Sequence, residues 1–166
     1  MKVLEALARL CAVLAGVLLV FITMMTVASV AGREFIGQTI TGDFELSGAA
    51  AGAAIALFLP WCQARRGNII VDFFTTRASE ATRQRLDRFG ALLLALVMVL
   101  MTWRTVLGGI NAWTTQSSTM MMGFPEWIIY TGMVPPLALT ALIALVQAFR
   151  GFGDEADAES NPELAT

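Results

Sequence analysis

Side chains able to do chemistry are scarce in the apolar parts of this sequence. Histidine is absent, and the two cysteines, Cys11 and Cys62, have no CxxC spacing. The long uncharged runs hold no ionisable residue at their middle, and Glu45 and Arg104 fall toward run ends. An ion-coupled carrier is expected to hold such a residue at mid-membrane, because its energetic cost marks a transport path. We therefore expect no metal, no cofactor and no transport by this chain alone.

Catalytic and nucleic-acid-binding patterns are also missing from the sequence. It contains no phosphate-binding loop and no nucleophile beside a base in a recognisable motif. No surface pattern of basic and aromatic residues points to nucleic acid. The polar residues inside the apolar runs are mainly threonines, which can bond to their own helix. The sequence therefore predicts neither an enzyme nor a nucleic-acid-binding protein.

The composition places these runs in a membrane. Of the 166 residues 57% are hydrophobic and only 14% are charged, which lies outside the range of an ordinary soluble domain. A helix of about 20 residues crosses the bilayer core of about 30 Å. We predict an all-α membrane protein whose single four-helix domain spans residues 1–150, with an acidic disordered tail at 151–166. The predicted transmembrane helices are residues 10–32, 44–64, 88–112 and 127–149.

A signal peptide is the alternative interpretation of the first run. Ser29, Val30 and Ala31 resemble the small residues of a cleavage site. The apolar core of a signal peptide is about 7–15 residues long, and the uncharged run over 10–32 is longer. We therefore expect this segment to be retained as a helix.

One basic segment separates the second and third runs. It carries six of the eleven Lys and Arg residues, namely Arg65, Arg66, Arg77, Arg83, Arg85 and Arg88. Such residues collect in short cytoplasmic loops, so with four helices both termini are predicted to be cytoplasmic as well. Residues 79–88 have the spacing of an amphipathic helix on the membrane surface. The candidates for binding anionic lipid headgroups are Arg65, Arg66, Arg83, Arg85 and Arg88.

Arg104 interrupts the third run. The uncharged part covers residues 89–103, so Arg104 lies within the predicted helix or at its edge. An arginine near a helix end can extend its guanidinium to the lipid headgroups. We expect that role for Arg104, rather than a buried functional charge.

Small residues make the second helix a candidate for close packing. Gly48, Gly52 and Ala56 recur at every fourth position. Faces of this kind let helices approach closely, where packing and weak hydrogen bonds replace the missing hydrophobic force. The partner is either another helix of this chain or another subunit.

The two loops on the less basic side carry the remaining candidate contacts with a partner. Arg33, Asp43 and Glu45 belong to the first loop. The second loop contains Met121 within a run of three methionines, which form an adaptable apolar surface. Trp127 begins the fourth helix as an interfacial anchor. Charges on an exposed rim can steer a soluble partner, and anchoring of the helix ends is the alternative role.

Several short motifs, in this order on a four-helix frame, resemble one family of membrane proteins. Over roughly residues 9–149 the chain is similar to the small, DctQ-like membrane subunit of tripartite ATP-independent periplasmic (TRAP) transporters. Position 68 is asparagine, where that family usually has histidine. The motifs are Arg33-Glu34-Phe35, Glu45-Leu46, Arg65-Arg66-Gly67-Asn68-Ile69-Ile70-Val71-Asp72 and Pro125-Glu126-Trp127.

The resemblance implies a subunit of the bacterial inner membrane with two protein partners. One is a large multi-helix membrane subunit that carries substrate and sodium, and the other is a periplasmic substrate-binding protein. The small subunit would brace the large one during uptake of a small organic acid. Two alternatives stay open: a stand-alone small proton-coupled carrier, and the small subunit of another binding-protein-dependent secondary transporter.

Overall fold

The computed structural model describes residues 2–38, 41–65 and 80–150, which form four helices and their connections. The predicted all-α fold is confirmed for these residues. Each helix contains a segment long and apolar enough to cross a membrane. The helices are α1 (Lys2–Ile36), α2 (Asp43–Ala64), α3 (Glu80–Thr115) and α4 (Glu126–Arg150).

Two of the helices extend well beyond the predicted apolar runs. The first begins at Lys2 rather than near residue 10, and the third begins at Glu80 rather than near residue 88. Both extensions carry charged residues but no glycine or proline, so nothing in them stops a helix. Part of the predicted surface segment is therefore continuous with α3. Residues 66–79 and the acidic tail at 151–166 lie outside the described residues.

The helices pack in a row, in the order α1, α2, α4, α3. Extensive contacts join α1 to α2, α2 to α4 and α4 to α3, whereas α1 and α4 touch only slightly. The interfaces are lined by small side chains, and most of the buried apolar residues are alanines. Close approach of backbones at small residues is the usual way in which membrane helices associate. An open row of this kind leaves the outer faces of α1 and α3 without a partner among the described helices.

The two ends of the row differ in what they contain. The connections 37–42 and 116–125 meet at one end, which we call the loop end, because backbone groups of the second connection bond to the first turn of α2. The opposite end, called the terminal end, holds the start of α1 and the last turn of α4. At most a third of the residues in any spanning segment are buried. The remaining apolar surface is available to lipid or to another membrane protein.

Candidate partner-binding surfaces

Glu45 fastens the connection 116–125 to the first turn of α2. Its carboxylate accepts hydrogen bonds from the backbone N–H of Met121 at 3.0 and 3.2 Å and from that of Met122 at 3.3 Å. Hydrogen bonds to an ionised acceptor are stronger than those between neutral groups. The predicted contact residue Glu45 therefore has a positioning role inside the chain: it holds the methionine loop over the start of α2.

Gly42 allows this loop to approach so closely. Its φ of 80° lies in the left-handed region, and it is the N-cap of α2. A Cβ atom at this position would overlap with Cγ of Met122. Only glycine therefore satisfies both the backbone conformation and the contact with Met122.

Asp43 is also engaged within the chain. It accepts a hydrogen bond from the hydroxyl of Ser29, which is buried in the last turns of α1. The bond ties the start of α2 to α1 across the connection between them. Asp43 therefore stabilises the loop end, and its carboxylate is not wholly free to meet a partner.

Internal hydrogen bonds hold the 116–125 loop in a defined shape. Ser117 donates to the Glu126 carboxylate at 3.1 Å, and the backbone N–H of Thr119 donates to the Phe124 carbonyl at 2.9 Å. The Thr119 hydroxyl accepts the N–H of Phe124 at 3.1 Å. The loop is thus fixed both to itself and to α2, so its outward side chains have defined positions.

Large apolar side chains project from this fixed loop end. Met120 is 99% exposed, and Phe35 and Phe44 are more than four-fifths exposed. Met121, a predicted contact residue, is two-thirds exposed. The Arg33 side chain is exposed beside them. Exposed apolar groups with a charged rim are typical of a protein-binding surface.

Aromatic side chains close the contact between α3 and α4 at the loop end. Trp127 packs edge-to-face against Trp113, with ring centroids 4.9 Å apart. Tyr130 lies against two glycines of α3, and Cβ atoms on Gly108 and Gly109 would each come within 3.1 Å of it. Below these rings an apolar groove of about 450 Å³ opens on one side of the helix pair. The predicted anchor Trp127 therefore packs within the chain, and it also borders this groove.

A buried pair of glutamines joins α2 and α4 at the terminal end. Gln63 donates from Nε2 to Oε1 of Gln147 at 2.7 Å, and Gln147 donates from Nε2 to the backbone carbonyl of Gln63 at 3.0 Å. The side chains are 5% and 4% exposed. Hydrogen bonds between membrane helices are worth about 1 kcal/mol each, so the pair fixes the register of the two central helices.

The predicted small-residue face of α2 is divided among different surroundings. Ala56 is buried within the row. Gly52 has one neighbour at ordinary contact distance, with Cε of Met133 3.9 Å from the position of a Cβ. Gly48 is exposed with open space beside it. Within this chain the close approach predicted for all three residues is therefore confined to the Ala56 end, and contact of Gly48 with another subunit stays a prediction.

The basic candidates are only partly within the described structure. The Arg65 guanidinium lies 4.8 Å from the ring centroid of Trp61, a cation–π arrangement at the end of α2. Arg88 is exposed on α3. Arg66 lies outside the described residues, as do the side chains of Arg83 and Arg85. Lipid binding by these residues stays a prediction.

Arg104 is not at the end of its helix. Because α3 continues to Thr115, Arg104 lies about 16 Å from the helix end at 1.5 Å per residue. Its side chain is exposed. Of the two predicted placements, the one within the helix is confirmed and the one at its edge is wrong, whereas contact of the guanidinium with lipid headgroups stays a prediction.

A family model for the DctQ component of tripartite ATP-independent periplasmic transporters matches residues 22–154. The chain belongs to this family. It is thus a TRAP transporter small component of the bacterial inner membrane, and membership implies association with a large TRAP membrane subunit and a periplasmic binding protein. Comparisons with curated proteins and with solved structures found no match.

The DctQ fold holds two contacts that the sequence analysis missed. The Gln63–Gln147 pair was detectable as two polar residues near the same end of two apolar runs. Gly108 and Gly109 form an adjacent glycine pair inside an apolar run, which is a signal for close helix approach. Both contacts lie between neighbouring helices, so they organise the row and leave its outer faces for partners.

Proposed function

We propose that this chain is the non-catalytic scaffold of a TRAP transporter, bracing the large subunit during sodium-driven uptake of a small organic acid. The single observation that supports this most is the open row of helices, which exposes apolar faces on α1 and α3. Four described helices that pack in a row rather than around a common core are suited to packing against a second membrane protein. The described spanning segments also lack an acidic residue at mid-helix, which a proton-coupled carrier would use.

Co-purification in mild detergent tests this role. Affinity-tagged chain should retain one large polytopic membrane protein in a fixed ratio. Proteoliposomes with this chain alone should accumulate no organic acid in a sodium or proton gradient. An active preparation of this chain alone would instead support the stand-alone carrier.

The proposed topology places the loop end in the periplasm. Near that end the first helix carries one basic residue, Arg33 in the last turn of α1. The segment around Arg65 and Arg88 is instead rich in arginine. With Cys11 and Cys62 replaced by serine, cysteine at Gln38 or Ser117 should react with an impermeant maleimide added outside spheroplasts. Cysteine at Ala78 or Ala158 should react only after permeabilisation. External labelling of Ala78→Cys would invert the topology.

The loop end is proposed to receive the substrate-binding protein. Its outward apolar side chains are held in place by Glu45, and Arg33 adds a charge at the rim. Replacing Phe35 with alanine should raise the concentration of binding protein needed for half-maximal uptake, because an exposed contact is removed. Phe149→Ala is the matched control, since Phe149 is 78% exposed at the terminal end. Equal effects of the two variants would contradict docking at the loop end.

A further inference from the structure

Arg104 lies on α3, at the edge of the row, and about midway along the length of the helices. Tyr130 packs at Gly109, and Arg104 lies about 8 Å from Gly109 along α3 toward the terminal end. Since α3 and α4 are consecutive and antiparallel, this brings Arg104 to about the depth of Pro135, five residues along α4 from Tyr130 and about 3 Å from the depth of Met133. Met133 in turn lies beside Gly52, close to the centre of α2. Arg104 is therefore a cation close to the midpoint of the spanning segment Arg88–Thr115.

The surroundings of Arg104 do not neutralise its charge. The side chain is exposed, and among the described residues no hydrogen bond or ion pair reaches its guanidinium. Trp113, the aromatic anchor of the loop end, is about 13 Å away along the helix. Side chains on a helix tilt toward its N-terminus, so Arg104 starts out directed toward the more distant terminal end. Reaching headgroups at either surface is thus unfavourable, and an unpaired charge at this depth is costly.

Arg104 also belongs to a regular stripe on the outer face of α3. The members alternate at spacings of four and three residues, which is the pattern of a seam that packs against another helix. All six are exposed: Leu93, Val97, Leu100, Arg104, Leu107 and Asn111. Ala91, Ala95 and Ala112 are buried on the opposite face, toward α4. The stripe, which we call the α3 seam, therefore has no intramolecular partner among the described helices.

We propose that the α3 seam binds a membrane-spanning helix of the large subunit that carries a carboxylate at the depth of Arg104. This inference rests on the proposed scaffold role and adds the surface and its chemistry. A carboxylate is the group that pairs bidentately with a guanidinium and removes the cost of its burial. Asn111, one heptad closer to the loop end, offers a hydrogen-bonding amide on the same stripe.

A second copy of this chain does not fit the seam as well. The acidic residues of the described segments lie toward helix ends. The nearest in depth is Glu45, whose carboxylate already holds the methionine loop. Two copies meeting at their seams would bring like charges together at Arg104, which is unfavourable in a medium of low dielectric constant.

Site-specific photocross-linking tests which face of α3 meets the partner. Benzoylphenylalanine at Leu100 or Leu107 in the seam should capture the large subunit in native membranes. Leu92 and Val99 are the matched controls, because both are exposed on α3 but lie outside the seam. Capture from the controls alone, or capture of a second copy from the seam, would overturn the proposal.

Substitution of Arg104 tests the charge itself. R104L should weaken retention of the large subunit by at least about thirtyfold, because the partner carboxylate is left unpaired. R104E should be worse, and R104K should restore part of the affinity. Leucine favours membrane insertion, so the amount of R104L in the membrane should equal that of the wild type.

If R104L retains as much of the large subunit as the unmodified chain does, the proposed ion pair is wrong, even where the scaffold role holds. The scaffold proposal has its own readout, since it requires that the unmodified chain retain the large subunit. Failure of that retention is therefore distinguishable from failure at the α3 seam.

Discussion

The buried glutamine pair allows a quantitative test of how α2 and α4 are held together. Gln147→Leu removes two hydrogen bonds. One is donated by the Gln63 side-chain amide at 2.7 Å, and the other is accepted by the Gln63 backbone carbonyl at 3.0 Å. A buried polar group that loses its partner costs about 1–3 kcal/mol. We expect the free energy of unfolding to fall by about 2 kcal/mol in this variant.

A double-mutant cycle with Gln63→Leu isolates the energy of the pair. Only the bond between the two side chains contributes to this coupling, because the bond from Gln147 to the backbone carbonyl of Gln63 survives Gln63→Leu. One interhelical hydrogen bond in a membrane protein is worth about 1 kcal/mol. The double variant should therefore lose less stability than the sum of the single variants, by about that amount. Gln63→Leu removes the other contacts of Gln63 both in the wild-type chain and in the Gln147→Leu variant, so the energies of those contacts cancel in the cycle.

Reversible unfolding in mixed detergent micelles, followed by circular dichroism, supplies the four free energies. Thr140→Val is a control at a buried position of α4, because its hydroxyl bonds only one turn back, to the Pro136 carbonyl at 2.8 Å. This variant should show no coupling to Gln63→Leu. Additivity of the two glutamine substitutions within about 0.3 kcal/mol would refute the direct pairing.

Two pairs of glycine substitutions, each a test and its control, probe the other close contacts. Gly109→Leu should lower the free energy of unfolding by about 1–3 kcal/mol, because the new side chain must displace Tyr130. Gly90→Leu is the control, and it should change this free energy by under about 0.5 kcal/mol because Gly90 has open space beside it. Equal losses for the two variants in the same detergent titration would contradict the contact. Gly42→Ala and Gly37→Ala share the strain of a positive φ, but only the first meets another side chain. Gly42→Ala should therefore lower the thermal midpoint further, and a larger loss at Gly37 would contradict the docking of the methionine loop.

The number and type of helices were predictable because hydropathy alone determines which segments leave water for a bilayer. The predicted ends were less accurate: α1 and α3 begin eight residues before the predicted starts at 10 and 88. These extensions carry charged residues, so they lie outside the uncharged runs from which the helices were predicted, although their residues are good helix formers.

The contacts at the loop end were not predictable in the same way. Glu45 was identified as a rim residue, but its acceptor role depends on backbone N–H groups 76 and 77 positions away. Sequence periodicity carries no information about such a meeting. Arg104 was placed near a helix end because its uncharged run is short, whereas the depth of a residue follows from packing against α4, which only the structure shows.

The scaffold role depends on whether transport needs this chain. The most direct measurement is sodium-driven uptake by proteoliposomes that contain the large subunit, with binding protein and organic acid supplied outside, with and without this chain. Omission of this chain should abolish uptake and leave the affinity of the binding protein for its substrate unchanged. Uptake at the full rate without this chain would contradict the scaffold role.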